Sequence, residues 1–529
     1  VRHGPRVSLL ERLMPTGLRV GENLNDSSLT ISKVALGSVY LAIQNVLSML
    51  IGVLGYAFLA RVITQEEMGM VAGLTLLTAL VQLISDFGLN STIAKFVSEL
   101  KGRKTDVSVH VFSALFFKIL LGLLLTLILI ALSPNLSSIL LGNPSHQPVI
   151  VLIILDSLLL SVSSFLNNIL LGLGKIKNIA VYGVSSTMVR WLFIIVLLLN
   201  GNGLIGLAIG WIMGDSIALL LYSITVTKNV GSKLQATQKY IAILSDLLKF
   251  SWPIYVSSII YFLYTWYDRV LILTFLTLSD LGVYNVAYQA FSVPTLIATS
   301  LSSSLLPYYG MAYGAGDDEA IILGVKRVSK YAMLVISPLM LGLAATAKPV
   351  ITLFAGQQYE LGWPVLTVLS VFGLVYSVSP ALGNLLLIYG KTKIILLLNV
   401  LSIALSLILI PLLSILKLEG LAVMKGVSFL SSLLLSLYFI SKTVKIQMEG
   451  KVLLKILASS VAMAIVVILI QELFYNKFFL MLYVFTGGIV YLTIIRSLKV
   501  LDEEDFKIIR EIMGDKALKL LGKILGIKP

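Results

Sequence analysis

The feature that most constrains this chain is a series of apolar blocks, each roughly 20 residues long, repeated from near residue 34 to near residue 496. A helix rises 1.5 Å per residue, so a block of that length matches the ~30 Å hydrocarbon core of a bilayer. Only helices and closed barrels satisfy their backbone groups inside hydrocarbon, and long unalternating apolar runs are helical. A soluble domain carries about 25% charged residues. Here the charged share is 12% against 58% hydrophobic, too little to cover a water-facing surface on 529 residues. The fold class that follows is an all-α integral membrane protein.

Hydropathy marks fourteen spans, at 34–60, 68–86, 107–132, 148–171, 177–199, 203–226, 251–276, 281–306, 329–347, 362–388, 393–416, 419–441, 452–471 and 478–496. Turn signals break the densest stretches, at Gly172 to Lys175, at Gly201-Asn202-Gly203 and at Gly390-Lys391. Charge is an independent check. With an inner N-terminus, 32 of the 40 Lys and Arg fall in inner segments, and only Arg61, Lys348, Lys417 and Lys477 in outer ones. That asymmetry alternates loop by loop, as the positive-inside rule requires. It predicts a multi-pass protein of the cell membrane with both termini cytoplasmic. The net charge of +14 is then read as anchoring beside anionic headgroups, and nucleic acid is not an expected partner.

Residues 1–32 lack the short apolar core of a signal peptide and read as a disordered cytoplasmic extension. Residues 229–250 read as a basic cytoplasmic linker. After residue 501, Ile508, Ile509, Ile512, Leu520, Leu521 and Ile524 recur at helical spacing with Lys and Arg between them. This predicts an amphipathic helix on the inner leaflet over 501–529.

Local features recur at one offset. Lys33 matches Lys249, Glu67-Met68-Gly69 matches Asp280-Leu281-Gly282, Gly174-Lys175 matches Gly390-Lys391, Gly206-Leu207-Ala208 matches Gly420-Leu421-Ala422, and Tyr222 matches Tyr438. Six spans fit in one offset, so both copies point the same way. The expected organisation is a first six-helix lobe at 33–228, a second at 251–443, and two further helices within 444–500. Two such lobes enclose a cavity and permit alternating access by rocking.

Cysteine is absent, so no thiolate chemistry is available. His3, His110 and His146 have no metal-ligand spacing, and neither a metal nor a cofactor is expected.

The run from Ala60 to Gly69 resembles the loop after the first helix of the Wzx-like polysaccharide-exporter flippases of the MATE/MOP superfamily. Asp86-Phe87-Gly88-Leu89 resembles the end of their second helix. Leu248 to Pro253, Tyr267-Asp268-Arg269, Leu281 to Tyr284 and Leu306-Pro307 are similar to their seventh and eighth helices, and Phe354 to Tyr359 to the loop after the ninth. The likeness runs from residue ~33 onward. It implies fourteen helices in two lobes plus two, and a monomeric flippase of lipid-linked oligosaccharides with no enzymatic activity. The implied cargo is a polyprenyl phosphate or diphosphate glycan for surface polysaccharide or glycoprotein synthesis.

Charges inside spans are costly and therefore informative. Lys118, Arg190, Arg269 and Lys425 lie within spans, and Arg61 closes the first one. These five are the candidate cavity cations, suited to charge-assisted hydrogen bonds with a diphosphate. Asp156, Asp215 and Asp268 are the candidate acids, either pairing with those cations or binding H⁺ or Na⁺ as a coupling ion. Asp86 reads as a cap or loop contact. Two other functions compete. A MATE-type drug or cation antiporter wants acidic, aromatic sites, whereas cations predominate here. A membrane glycosyltransferase or ligase wants substantial outer loops, and the loops here are short.

Overall fold

A computed structural model of the protein describes residues 24–230, 240–303, 306–442, 449–502 and 505. Among these residues the structure is helical, with no strand. The chain opens with α1 (Leu24–Val62), α2 (Gln65–Asp86), α3 (Leu89–Gly102), α4 (Ser108–Ala131), α5 (Ser133–Leu141), α6 (Gln147–Gly172), α7 (Ile176–Leu199) and α8 (Gly203–Val230). It continues with α9 (Tyr240–Phe275), α10 (Leu278–Ser303), α11 (Leu306–Gly314), α12 (Asp318–Ala345), α13 (Ala347–Phe354), α14 (Trp363–Gly373), α15 (Ser379–Ile388), α16 (Thr392–Leu407) and α17 (Pro411–Ser441). Two last helices, α18 (Gly450–Leu473) and α19 (Leu480–Ser497), complete it.

Twelve helical segments among the described residues are long and apolar enough to cross a bilayer. Two of the fourteen expected spans are not among them. The eighth forms the 26-residue α10, which carries Asp280, Asn285, Gln289 and Pro294. The eleventh is cut to the 16-residue α16, because a turn at 408–410 ends it before Pro411. The tenth span is also divided, into α14, a 3₁₀ turn at Leu374–Ser377, and α15 with Pro380 in its first turn.

Other boundaries move. Residues 24–32 are helical rather than irregular, and residues 240–250 of the expected linker are the first three turns of α9. The ninth span begins eleven residues early, where the Asp317 side chain accepts from the Ala320 N–H and caps α12. Most of the predicted tail helix at 501–529 lies outside the described residues, as does 1–23. The loop between the second and third spans holds the amphipathic α3, whose Leu89, Ile93 and Val97 are buried against α6.

Local structure repeats where the sequence does. Gly174 and Gly390 both take positive φ (70° and 66°), and the N–H of Lys175 and of Lys391 each closes a bond five residues back, at 2.9 and 2.8 Å. Thr64 and Glu67 form a capping box before α2, and Thr277 and Asp280 form its equivalent before α10. These two helices then cross. A Cβ on Gly69 would collide with the Leu278 carbonyl, and one on Gly282 would collide with the Gln65 carbonyl. The contact is reciprocal: each helix offers the same glycine to the same carbonyl of the other.

The crossing lies at the end the charge distribution assigns to the outside, and further bonds close that end. Gln65 meets Ser279 at 2.7 Å, Gln358 donates to the carbonyl of Ala60 at 2.8 Å, and Tyr359 to that of Thr64 at 3.2 Å. Contacts also join the helices at the opposite end. Phe87 stacks on Tyr255 at 4.6 Å, and the Lys95 ammonium sits 4.2 Å from the Phe250 ring centre. Between the two closures runs a continuous buried core that includes Met68, Leu74, Tyr284, Phe291, Leu369 and Phe429.

Candidate functional site

Among the described residues, three charge clusters lie within the spans, and a fourth, of Arg327, Lys330, Asp502 and Asp505, lies where α12 meets the segment after α19. The first joins α9 to α10 and α17. Asp268 is fully buried and accepts from Tyr284 Oη at 2.6 Å and from Arg269 Nη1 at 3.1 and 3.2 Å. Lys425 Nζ reaches it at 3.6 Å and also donates to the carbonyls of Tyr264 and Thr265 at 2.9 and 3.1 Å. The guanidinium of Arg269 lies 4.2 Å from the Tyr288 ring centre and 4.7 Å from that of Trp266. One carboxylate therefore faces two cations, which leaves a net positive charge in a buried place. Moreover, Arg269 Nε–H has no acceptor among the described residues. A buried unmatched donor is costly, so a group that supplies an acceptor and a negative charge is favoured there.

The second cluster joins α6, α7 and α8, and glycines build it. Gly206, Gly210 and Gly214 are spaced four apart on α8 and let it approach α7 closely. At Gly214 the space a side chain would need is filled by Arg190 Cβ and the Ser186 carbonyl. That approach brings Arg190 Nη2 to 2.6 Å from Asp215 Oδ1, with Asp156 of α6 beside them. Here two acids face one cation.

The third cluster lies nearer the inner end. Lys118 is buried and holds Asp86 at 3.4 Å and Asn90 Oδ1 at 3.3 Å. Asp86 also accepts from the Asn90 N–H at 3.1 Å, so it is a local cap and an ion-pair partner at once.

The five candidate cations are thus not gathered in one place. Arg269 and Lys425 meet at Asp268, while Arg190 stands with Asp215 and Lys118 with Asp86. Arg61 is exposed at the outer end, donating to the carbonyls of Leu353 and Phe354. Its role is to bond the end of α1 to α13, because those last-turn carbonyls lack helical partners. Sequence reasoning missed Tyr284, Tyr288 and Trp266, which surround Arg269. The signal was present: Tyr284 and Tyr288 are four apart and share one face of α10.

Beside the first cluster is a cavity of about 730 Å³, lined by apolar residues of α1, α10, α12, α18 and α19. Tyr56 lines the cavity and accepts from Asn285 Nδ2 at 2.6 Å, beside Tyr284 on α10.

The fold is shared with transporters of known structure. A lipid II flippase, MurJ in an inward closed conformation, superposes with a TM-score of 0.70 at 16% identity, over 88% of this chain and all of that one. An inward-facing multidrug-resistance MATE transporter of the MOP superfamily gives 0.64 at 16% identity, over 77% and 98%. In sequence, the chain is 24% identical over 480 residues to a probable low-salt glycan biosynthesis flippase, Agl15, of Haloferax volcanii, covering 90% of this chain and 98% of that one. The lipopolysaccharide biosynthesis protein WzxC of Escherichia coli is 21% identical over 68% and 71% of the two chains. The sequence pattern of one family spans residues 58–362, more than half of the chain, and with it the protein belongs to the polysaccharide biosynthesis protein family.

Proposed function

We propose that this protein flips a lipid-linked oligosaccharide, carried on a polyprenyl phosphate or diphosphate, across the cell membrane by alternating access. The observation that carries the reading is the excess positive charge at Asp268, Arg269 and Lys425, with the unpartnered Arg269 Nε–H. A phosphate oxygen supplies what that cluster lacks. The ring faces of Trp266 and Tyr288 that flank Arg269 are also suited to stacking on sugars. The apolar cavity along α18 and α19 accepts a hydrocarbon tail, so the headgroup and the tail have adjoining places.

Movement follows from where the halves touch. At each end, contacts join the first and second sets of helices. Breaking the Phe87–Tyr255 stack opens one side, and parting α2 from α10 opens the other. The chain is read as a monomer with both termini in the cytoplasm, coupled to H⁺ or Na⁺. A cationic-drug antiporter fits less well, because the excess charge at the central cluster repels a cation.

The test is a proteoliposome assay with a short-chain lipid diphosphate sugar. Arg269→Ala removes one charge-assisted bond, worth ~1.5–3 kcal/mol, and weakens glycolipid binding by about 10- to 100-fold. Arg269→Lys keeps the charge but not the fork, and recovers part of that loss. Normal binding and flipping in Arg269→Ala refute the reading.

A further inference from the structure

The second cluster has the opposite imbalance, and it points to a different ligand. Asp156 is 1% exposed and Asp215 3%, so both carboxyls are cut off from water. Arg190 satisfies Asp215 Oδ1 only. Asp156 Oδ1 and Asp215 Oδ2 are buried and receive no hydrogen bond from any donor among the described residues. The two carboxyls also lie within hydrogen-bond reach of each other. Two ionised carboxylates at that separation repel, and a carboxylate supplies no donor. One hydrogen between them resolves both defects. It bonds the two carboxyls to each other, and it makes two acids and one arginine electrically neutral.

We propose that Asp156 and Asp215 hold one exchangeable proton between them, as a buried proton-binding site closed by Arg190. One carboxylic acid donates its O–H to the other carboxylate, and the pair titrates as a unit. A metal cation is a poorer occupant, because the guanidinium at 2.6 Å repels it and two carboxylates alone are a thin ligand set.

The surroundings leave few other groups to titrate against it. From α7 comes Arg190, and from α8 Asp215 and, further along, Tyr222, whose hydroxyl accepts from Asn167 Nδ2 at 3.2 Å. From α2 come Gln82, which donates to the Ser157 carbonyl at 2.8 Å, and Ser85, which meets Ser161 at 2.9 Å; neither titrates. The pair of Lys118 from α4 with Asp86 is self-contained.

Losing the proton leaves a buried excess negative charge that only water or a new cation can offset. Release is therefore tied to opening of the α6–α8 region. This deepens the flippase reading by naming H⁺ as its coupling ion, and in that respect it rests on that reading.

The test separates the two. Infrared spectra of the purified full chain, recorded across a pH titration, should contain the C=O band of a protonated carboxylic acid. Asp156→Asn is nearly isosteric and still offers a donor to Asp215; it should remove that band, as should Asp215→Asn, while Asp246→Asn at the surface leaves it. A band that survives in both variants, or is absent from the wild type at every pH, overturns the proposal. In proteoliposomes, a pH gradient should change wild-type glycolipid flipping, and Asp156→Asn should flip at a rate blind to the gradient. Gradient-blind flipping by the wild type overturns the coupling. A protein that shows the band but flips no glycolipid overturns the flippase reading and leaves the proton site standing.

Discussion

Asp268→Asn should destabilise this protein more than most single changes, because Asp268 is the sole carboxylate between two buried cations. Its oxygens lie 3.1 Å from Arg269 Nη1 and 3.6 Å from Lys425 Nζ. At an effective dielectric of ~20, each attraction is about 5 kcal/mol before desolvation is set against it. An amide keeps the shape and can still accept from Tyr284, whose hydroxyl is 2.6 Å away. What it loses is the charge, so Arg269 and Lys425 then face each other uncompensated. Breaking a buried pair in this way costs ~3–5 kcal/mol. The assay is thermal or denaturant unfolding of purified protein in one detergent, with the wild type alongside. Lys425→Met in the same chain removes one of the two cations and restores the net charge of the cluster, so the double variant should recover most of the loss. An Asp268→Asn protein within ~1 kcal/mol of the wild type would refute the argument that this carboxylate offsets both cations. A double variant no better than the single one would refute the charge account of any loss.

The other predictions concern the two ends of the molecule and the tail. Gly69→Val should force α2 off the Leu278 carbonyl, lowering stability by ~1–3 kcal/mol, read from the same unfolding curves, since neither backbone can yield. The chain has no cysteine, so Gln65→Cys with Ser279→Cys introduces a unique thiol pair; oxidation or a short thiol cross-linker should stop flipping, and a reductant should restore it where the bridge is a disulfide. Asp502 anchors the segment after α19 through Lys330 at 3.2 Å. Burial opposes its charge, but the Asp505 backbone N–H, Lys330 and Arg327 outweigh that and hold its carboxyl below the ordinary range. Its stabilising share is therefore present above the unfolded value of about 3.9 and is lost as pH falls through the lower folded value. Thermal unfolding at pH 3 and pH 6 should show that loss in the wild type and not in Asp502→Asn.

The helices were legible because hydrocarbon permits so few alternatives, and block length alone marked most of them. Breaks inside blocks were harder. Pro411 and the turn at 408–410 split an apolar run whose average hydropathy conceals the split. Helix α3 was hidden for the opposite reason, since Lys95, Glu99 and Lys101 made an amphipathic helix resemble a charged loop. Intramembrane charge flagged Arg190, Asp215, Asp268, Arg269 and Lys425 as residues needing partners. It did not say which partners, because pairing depends on helix rotation and on glycine-dependent approach, as between α7 and α8. Tyr284 and Tyr288 escaped notice because a tyrosine inside a span counts as apolar until its hydroxyl is seen to donate to a carboxylate. Arg61, which closes a span, bonds free helix-end carbonyls, partners that its place in the sequence does not reveal.

The reciprocal meeting of Gly69 with Leu278 and of Gly282 with Gln65 has the form of a contact between subunits. Two separate six-helix chains, identical and lying parallel, would make this contact twice through one surface, each lending the other its glycine and its carbonyl. That is the self-complementary contact of a twofold dimer. Within one chain, the two halves can differ around a contact that neither can alter alone. One now carries two acids for one arginine, and the other two cations for one aspartate. A single chain can thus hold complementary charge imbalances in its two halves, which no pair of identical subunits could do.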